Sequence, residues 1–287
     1  MEARDVVILA LKASIIVTVF GFGLSATRED VLYVFKRPSL LLRSLLAMFV
    51  VIPVVAVLLA QAFDFRHSVE AALVALSISP VPPLLPRRHE KAGGRASYGL
   101  GLMVTMALLS VLIIPLEVHL IDAFYDKTFT IKPIAIAKIV LTAAVLPLLA
   151  GMLCNRFIPK LAARIATPAI LVGKWLLPLA GIAILIAAHR ALGALLGDGT
   201  LIAIVVFVAI ALAVGHWLGG PDPETREVLA LSSACRHPGI AIALATANAT
   251  SAADHQVPAA IMLYLLVSLA ATVPYVKWQA KRLGAGR

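Results

Sequence analysis

The chain has 287 residues, of which 61% are hydrophobic and only 14% charged, with a mean hydropathy of +0.97 and a formal net charge of +10. Soluble globular chains are about a quarter charged, so this composition excludes an ordinary soluble fold. The positive charge sits between apolar runs, in a pattern that excludes a nucleic-acid surface as its purpose.

Nine apolar runs follow one another: Val6–Ala26, Leu40–Phe63, Val69–Leu85, Tyr98–His119, Pro133–Asn155, Ala166–Ala188, Leu201–Gly219, Val228–Asn248 and Val257–Gln279. At roughly 18 to 25 residues, each is long enough to cross about 30 Å of hydrocarbon. The chain reads as an all-α polytopic membrane protein with nine transmembrane helices. The first run resembles a signal peptide in position only. Its apolar core is long, two acids precede it in MEARD, and no small-x-small cleavage site follows, so it reads as a retained helix.

The connections are short, and the longest, about Leu120 to Lys132, is polar and aromatic. The whole of 1–287 therefore reads as one membrane domain. With alternating sides, one set of connections carries five Lys and Arg: Arg4, Arg66, Lys127, Lys132 and Arg190. The other carries fifteen, grouped at Arg28–Arg37, Arg87–Arg95, Arg156–Arg164, Arg226 and Lys277–Arg287. An excess of this kind marks the cytoplasmic face. It predicts an external amino terminus, a cytoplasmic carboxy terminus and a place in the plasma (inner) membrane.

Two runs are interrupted. The third reads VEAALVALSISPVPPLLPRRHE, with Pro80, Pro82, Pro83 and Pro86 in seven residues. Each proline removes a backbone donor and clashes with the preceding turn. The eighth reads REVLALSSACRHPGIAIALATAN, with Pro238 and Gly239 just after Arg236 and His237. The segments share a Glu, then Ala-Leu-Ser (Ala75–Ser77 and Ala230–Ser232), then a break at proline. A pair of interrupted helices in corresponding halves marks the binding site of a secondary transporter. Non-helical backbone at membrane depth is tolerated only in a cavity or inside protein.

Arg236 lies about ten residues past Arg226, roughly 15 Å deep at the rise of a helix. An intramembrane arginine is a functional-site hypothesis by default. Two readings stand: it attracts an anionic substrate or replaces a bound cation, or it pairs with carbonyls of the broken helices. His237 titrates near neutrality and fits proton coupling or a structural role. Ser77, Ser79, Ser232 and Ser233 are polar linings of the breaks or packing groups. Arg87, Arg88 and His89 read as cytosolic loop charges. Lys174 reads as snorkelling beside Trp175, and His216 with Trp217 as an interfacial anchor. Gly21 and Gly23 read as close packing. The acids are Glu70, Glu117 and those of the connections, with none expected mid-span. Cys154 and Cys235 fit buried packing rather than a metal site or disulfide. Enzyme motifs are absent: there is no His-Glu-x-x-His, Gly-x-Ser-x-Gly, phosphate loop or acidic metal cluster.

Several stretches together resemble the bile acid:sodium symporter family: FGFGLSATREDVLYVFKRP, SLLAMFVVIPVVAVLLA, the proline-broken third run with RASYGLGLMVTMALLSVLIIP, and ACRHPGIAIALA. The resemblance implies an inverted-repeat, panel-and-core transporter in which two broken helices cross at mid-membrane. Here the repeats would be about 1–125 and about 130–287. The crossing would comprise Ser77, Ser79, Pro80, Pro83, Pro86, Ser232, Ser233, Arg236, His237, Pro238 and Gly239. It implies secondary active transport of a small organic anion within a lipid bilayer.

The family's sodium ligands are not matched. The positions corresponding to them carry Leu85 and Pro86, Gly99 and Met103, Ser232, Arg236 and His237, and Met48. A hard cation wants several oxygen ligands, so sodium coupling is not expected. Proton coupling, exchange and uniport stay open, and no cofactor is expected. The alternative is a non-transporting membrane binding or accessory protein, or an integral-membrane enzyme, on the same fold.

Overall fold

The computed structural model describes residues 3–63, 65–81, 94–124, 133–187, 193, 195, 199–246 and 256–283. Every regular element among them is helical. In chain order they are α1 (Ala3–Ser25), α2 (Arg28–Phe35), α3 (Pro38–Ala62), α4 (His67–Ile78), α5 (Ala96–Phe124) and α6 (133–157). There follow α7 (Pro159–Ala187), α8 (Thr200–Leu218), α9 (Pro223–Ala234), α10 (Pro238–Thr246) and α11 (Val257–Leu283). Among the described residues, four stretches are long and apolar enough to cross a membrane: Pro38–Ala62, Ala96–Ile121, Thr200–Leu218 and Val257–Arg282. Lys12–Ser25, His67–Ile78 and Leu141–Phe157 are shorter apolar helices. This is an integral, polytopic membrane protein.

The third and eighth apolar runs are interrupted. In the third, α4 ends at Ile78, with Ser79 extended before Pro80. The eighth is α9 and α10, with an extended Cys235 before Arg236 and His237. Elsewhere the structure differs from the sequence reading at two kinds of place. Part of the basic connection between the first two runs is the helix α2. Thr27 and Asp30 close a capping box at its start, with the Thr27 Oγ1 accepting from the Asp30 amide and the Asp30 carboxylate accepting from the Thr27 amide. The other difference is a pair of π turns, at Ala47–Val51 inside α3 and Leu141–Val145 inside α6. Each ends just before a proline, Pro53 or Pro147. A widened turn relieves the clash of a proline ring with the preceding carbonyls.

α4 and α9 are buried nearly all round. Every residue from Glu227 to Ala234 is buried, and so is every residue from Ser68 to Ile78 except Ala71. A helix enclosed on all faces belongs to the interior of its protein. The outer helices instead leave large apolar side chains uncovered, such as Leu42, Leu112, Ile186 and Ile202. In a membrane protein, such a surface suits lipid.

Close backbone contact ties α1 to its neighbours. Gly21 packs on Ile170 of α7, and Gly23 meets Gly151 and the Leu148 carbonyl of α6. A Cβ on Gly151 would collide with the Phe20 oxygen and lie 2.8 Å from the Gly23 Cα. Small residues allow this approach where lipid supplies no hydrophobic drive. At the start of α5, Arg95 donates to Glu224 at 2.9 Å and pairs with Asp222, tying α5 to α9. Tyr33 first, then Glu224 and Asp222, push the Arg95 pKa up.

Gly151→Ala is expected to lower stability by about 1–3 kcal/mol through overpacking, read as a lower melting temperature of the detergent-solubilised protein. Glu224→Gln, at an ion pair about 40% exposed, is expected to cost no more than about 1 kcal/mol, an effect that high salt removes.

Candidate functional site

The two breaks touch. A residue before proline is pushed out of the helical region, and Ser79 before Pro80 has φ −73° and ψ 145°. That ends α4 and removes the regular helical donors of its last carbonyls, with the Ser79 amide still reaching the Leu76 carbonyl at 3.0 Å. On the other side Cys235 has φ −110° and ψ 104°. Pro238 then opens α10, at a position where a missing amide is harmless. The His237 amide donates across the gap to the Pro80 carbonyl at 3.1 Å and to the Ser79 Oγ at 3.0 Å.

Arg236 lies beside this contact and is 2% exposed. Its Nε donates to the Leu76 carbonyl at 3.1 Å. Its Nη2 donates to the carbonyls of Ser77 and, at 3.2 Å, of Met48. All three acceptors have a structural cause. Leu76 and Ser77 are in the last turn of α4, the negative end of its dipole. Met48 is in the π turn of α3, where the Ile52 amide bonds the Ala47 carbonyl. By the same spacing Met48 would bond residue 53, which is proline and has no N–H. The guanidinium thus supplies the donor that Pro53 lacks and caps α4 at once.

Around it the polar groups are closely assigned. Ser77 Oγ donates back to Val74, and Ser79 Oγ to Leu76, each at 2.8 Å. The Tyr264 hydroxyl of α11 donates to the Ala234 carbonyl at 2.6 Å, capping α9. The His237 Nδ1 accepts the Ile240 amide at 3.3 Å, as an N-cap of α10. Accepting there requires the ring proton on Nε2. A small cavity of about 10 Å³, room for about one water, is bounded by His237, Pro80, Met103, Ala107, Ala144 and Leu148 among others. Among the described residues, some buried polar atoms have no hydrogen-bond partner: Thr105 Oγ1, both Glu117 carboxylate oxygens, Ser233 Oγ, Arg236 Nη1 and His237 Nε2.

Among the residues singled out from the sequence, the structure joins Ser77, Ser79 and Pro80 to Arg236 and His237. Ser232 and Ser233 are buried on the last turn of α9, and Gly239 faces Ile15 of α1. Pro83 and Pro86, with Arg87, Arg88 and His89, lie outside the described residues, as does the side chain of Lys174. His216 bonds the Tyr275 hydroxyl at 2.8 Å and packs on Trp278. Cys235 is buried and Cys154 half-buried, and the two are not joined in a disulfide.

The sequence reading missed three participants. Pro53 was the signal for an orphaned carbonyl on Met48. Tyr264, in an apolar run, gave no signal. Glu117, which the sequence places away from mid-span, is only 6% exposed on α5 and is within electrostatic reach of Arg236. Its placement near the end of an apolar run disguised it.

A helical membrane protein whose paired broken helices meet in its interior has the build of a secondary transporter. The chain belongs to the sodium bile acid symporter family, a family of transporters, whose model matches residues 13–214. The matched segment contains the α4 break and ends before α9. No curated protein matches the chain in sequence.

Arg236→Leu is expected to lose about 3 kcal/mol or more, because three buried carbonyls lose a charged donor. Arg236→Lys, a point charge without the planar fork, should fall between, in melting curves of purified protein. His237→Asn should keep the α10 cap, while His237→Ala loses about 1 kcal/mol.

Proposed function

We propose that the protein is a secondary active transporter of a small organic anion, moving its substrate by alternating access around the contact between the α4 and α9–α10 breaks. The observation that carries this reading is Arg236, a buried fixed charge between the two breaks with its Nη1 still free. Helix breaks there give the local freedom that opening to either side needs, and the guanidinium gives an attraction for a carboxylate or sulfonate. Family membership supports a transporter. Nine transmembrane helices, a panel and a core related by inverted repeats at about 1–125 and 130–287, and a single domain belong to the same proposal. So do an external amino terminus, a cytoplasmic carboxy terminus and the plasma membrane.

Sodium coupling does not belong to it. The carbonyls of Leu76 and Ser77, at the end of α4, accept from Arg236. The nearby side chains include Met48, Met103 and Ser233, and no cluster of three or more His, Cys, Asp or Glu suited to a metal occurs among the described residues. A permanent guanidinium beside the carbonyls repels a second cation. Arg236 does by covalent attachment what a bound cation does elsewhere: it neutralises the ends of the breaks.

The engagement of Arg236 with three carbonyls also favours a second reading, a binding or accessory protein in which the guanidinium is only a staple. Uptake of radiolabelled taurocholate into proteoliposomes, with sodium and pH varied separately, tests both. Saturable uptake unchanged when sodium is replaced by choline is expected. A strong sodium requirement overturns the absence of sodium coupling, and tight binding with no flux favours the second reading. Arg236→Gln is expected to raise the half-saturating concentration about tenfold or more, as loss of a charged hydrogen bond of about 1.5–3 kcal/mol would.

A further inference from the structure

We propose that Glu117 is the proton-binding site that couples this transporter, working as the mobile counter-charge of Arg236. The inference rests on the transporter reading and adds the coupling ion and its carrier.

Three observations point to it. Glu117 lies within α5, two residues after Pro115, on a helix whose apolar stretch is long enough to span the membrane. It is 6% exposed, yet neither carboxylate oxygen has a hydrogen-bond partner. Arg236 is likewise buried, has an unpartnered Nη1 among the described residues, and acts on Glu117 electrostatically without forming a hydrogen-bonded pair with it. Two buried opposite charges thus lie within electrostatic reach of one another, each with unused bonding capacity. A purely structural pair would be expected to close this gap, because an unsatisfied buried charge is strongly unfavourable.

Other titratable groups do not account for Glu117. On the helices packed against α5, Asp30 and Tyr33 of α2 and Glu224 and Glu227 of α9 meet its opposite end, near Arg95 and Gly101. Lys138 and Arg156 of α6 are exposed. At the break itself His237 uses its Nδ1 to cap α10, and Tyr264 is committed to the Ala234 carbonyl. Arg236 is the one charged side chain shown to act on Glu117 among the described residues.

The cycle needs no other reactant than a proton from water. With Arg236 engaged on Leu76, Ser77 and Met48, a carboxylate oxygen of Glu117 takes the proton and the side chain is neutral. When the breaks separate and the guanidinium is freed, Glu117 releases the proton and pairs with Arg236 as a carboxylate. An anionic substrate on the guanidinium displaces that carboxylate and returns it to the protonated form. Proton and anion therefore travel together, and charge inside the membrane stays balanced.

Infrared difference spectra of the protein in lipid nanodiscs, titrated from mildly acidic to mildly alkaline pH, read the site without any substrate. A protonated-carboxyl C=O band that titrates in the wild type and vanishes in Glu117→Gln is expected. Glu117→Asp, which keeps a carboxyl, should displace the band rather than remove it, and it serves if the glutamine variant does not fold. Arg236→Lys should shift the midpoint. Absence of a Glu117-dependent titrating band overturns the proposal. In proteoliposomes, Glu117→Gln should keep equilibrium exchange of taurocholate, whose sulfonate stays ionised, and lose its accumulation under an inward proton gradient. Retention of gradient-driven accumulation overturns coupling through Glu117. A titrating band without any taurocholate movement supports the proton site and counts against the transporter reading instead.

Discussion

The interior of this protein depends on one guanidinium. Arg236 bonds the last carbonyls of α4 and a carbonyl that Pro53 leaves open in the π turn of α3. Neither group can turn to water, and at membrane depth an unsatisfied backbone acceptor costs several kcal/mol. The planar fork of arginine reaches separate acceptors at once, which a lysine ammonium does not. The breaks of α4 and α9 can sit in the protein interior because of it.

The remaining contacts around the breaks follow the same logic. Prolines end or open helices there, and each opening leaves backbone groups that need partners. The His237 amide serves the Pro80 carbonyl, the His237 ring serves the Ile240 amide, and Tyr264 serves Ala234. Among the described residues, the buried side-chain groups left over are Glu117, one nitrogen of Arg236, one of His237, and the hydroxyls of Thr105 and Ser233.

Family membership and local chemistry point in different directions about ions. The family name contains sodium, and the matched residues 13–214 include the α4 break. Yet the Leu76 and Ser77 carbonyls at that break accept from a permanent cation. The proposed absence of sodium coupling follows from that substitution of a tethered charge for a bound one.

Apolar length and proline placement were legible in the sequence, and they determined that the chain is helical, enters the membrane, and is interrupted near residues 80 and 238. These are local properties: hydrocarbon thickness sets helix length, and proline acts on its own turn. The short helix α2 was also written locally, in Thr27 and Asp30, and was overlooked among basic residues. What only the tertiary structure decided is which groups meet. That Arg236 would find Met48, 188 positions away, and that Glu117 of α5 would come within its electrostatic reach, depend on how the helices cross. A residue's polarity is fixed by its side chain, but its partner is fixed by packing, and no spacing along the chain records it.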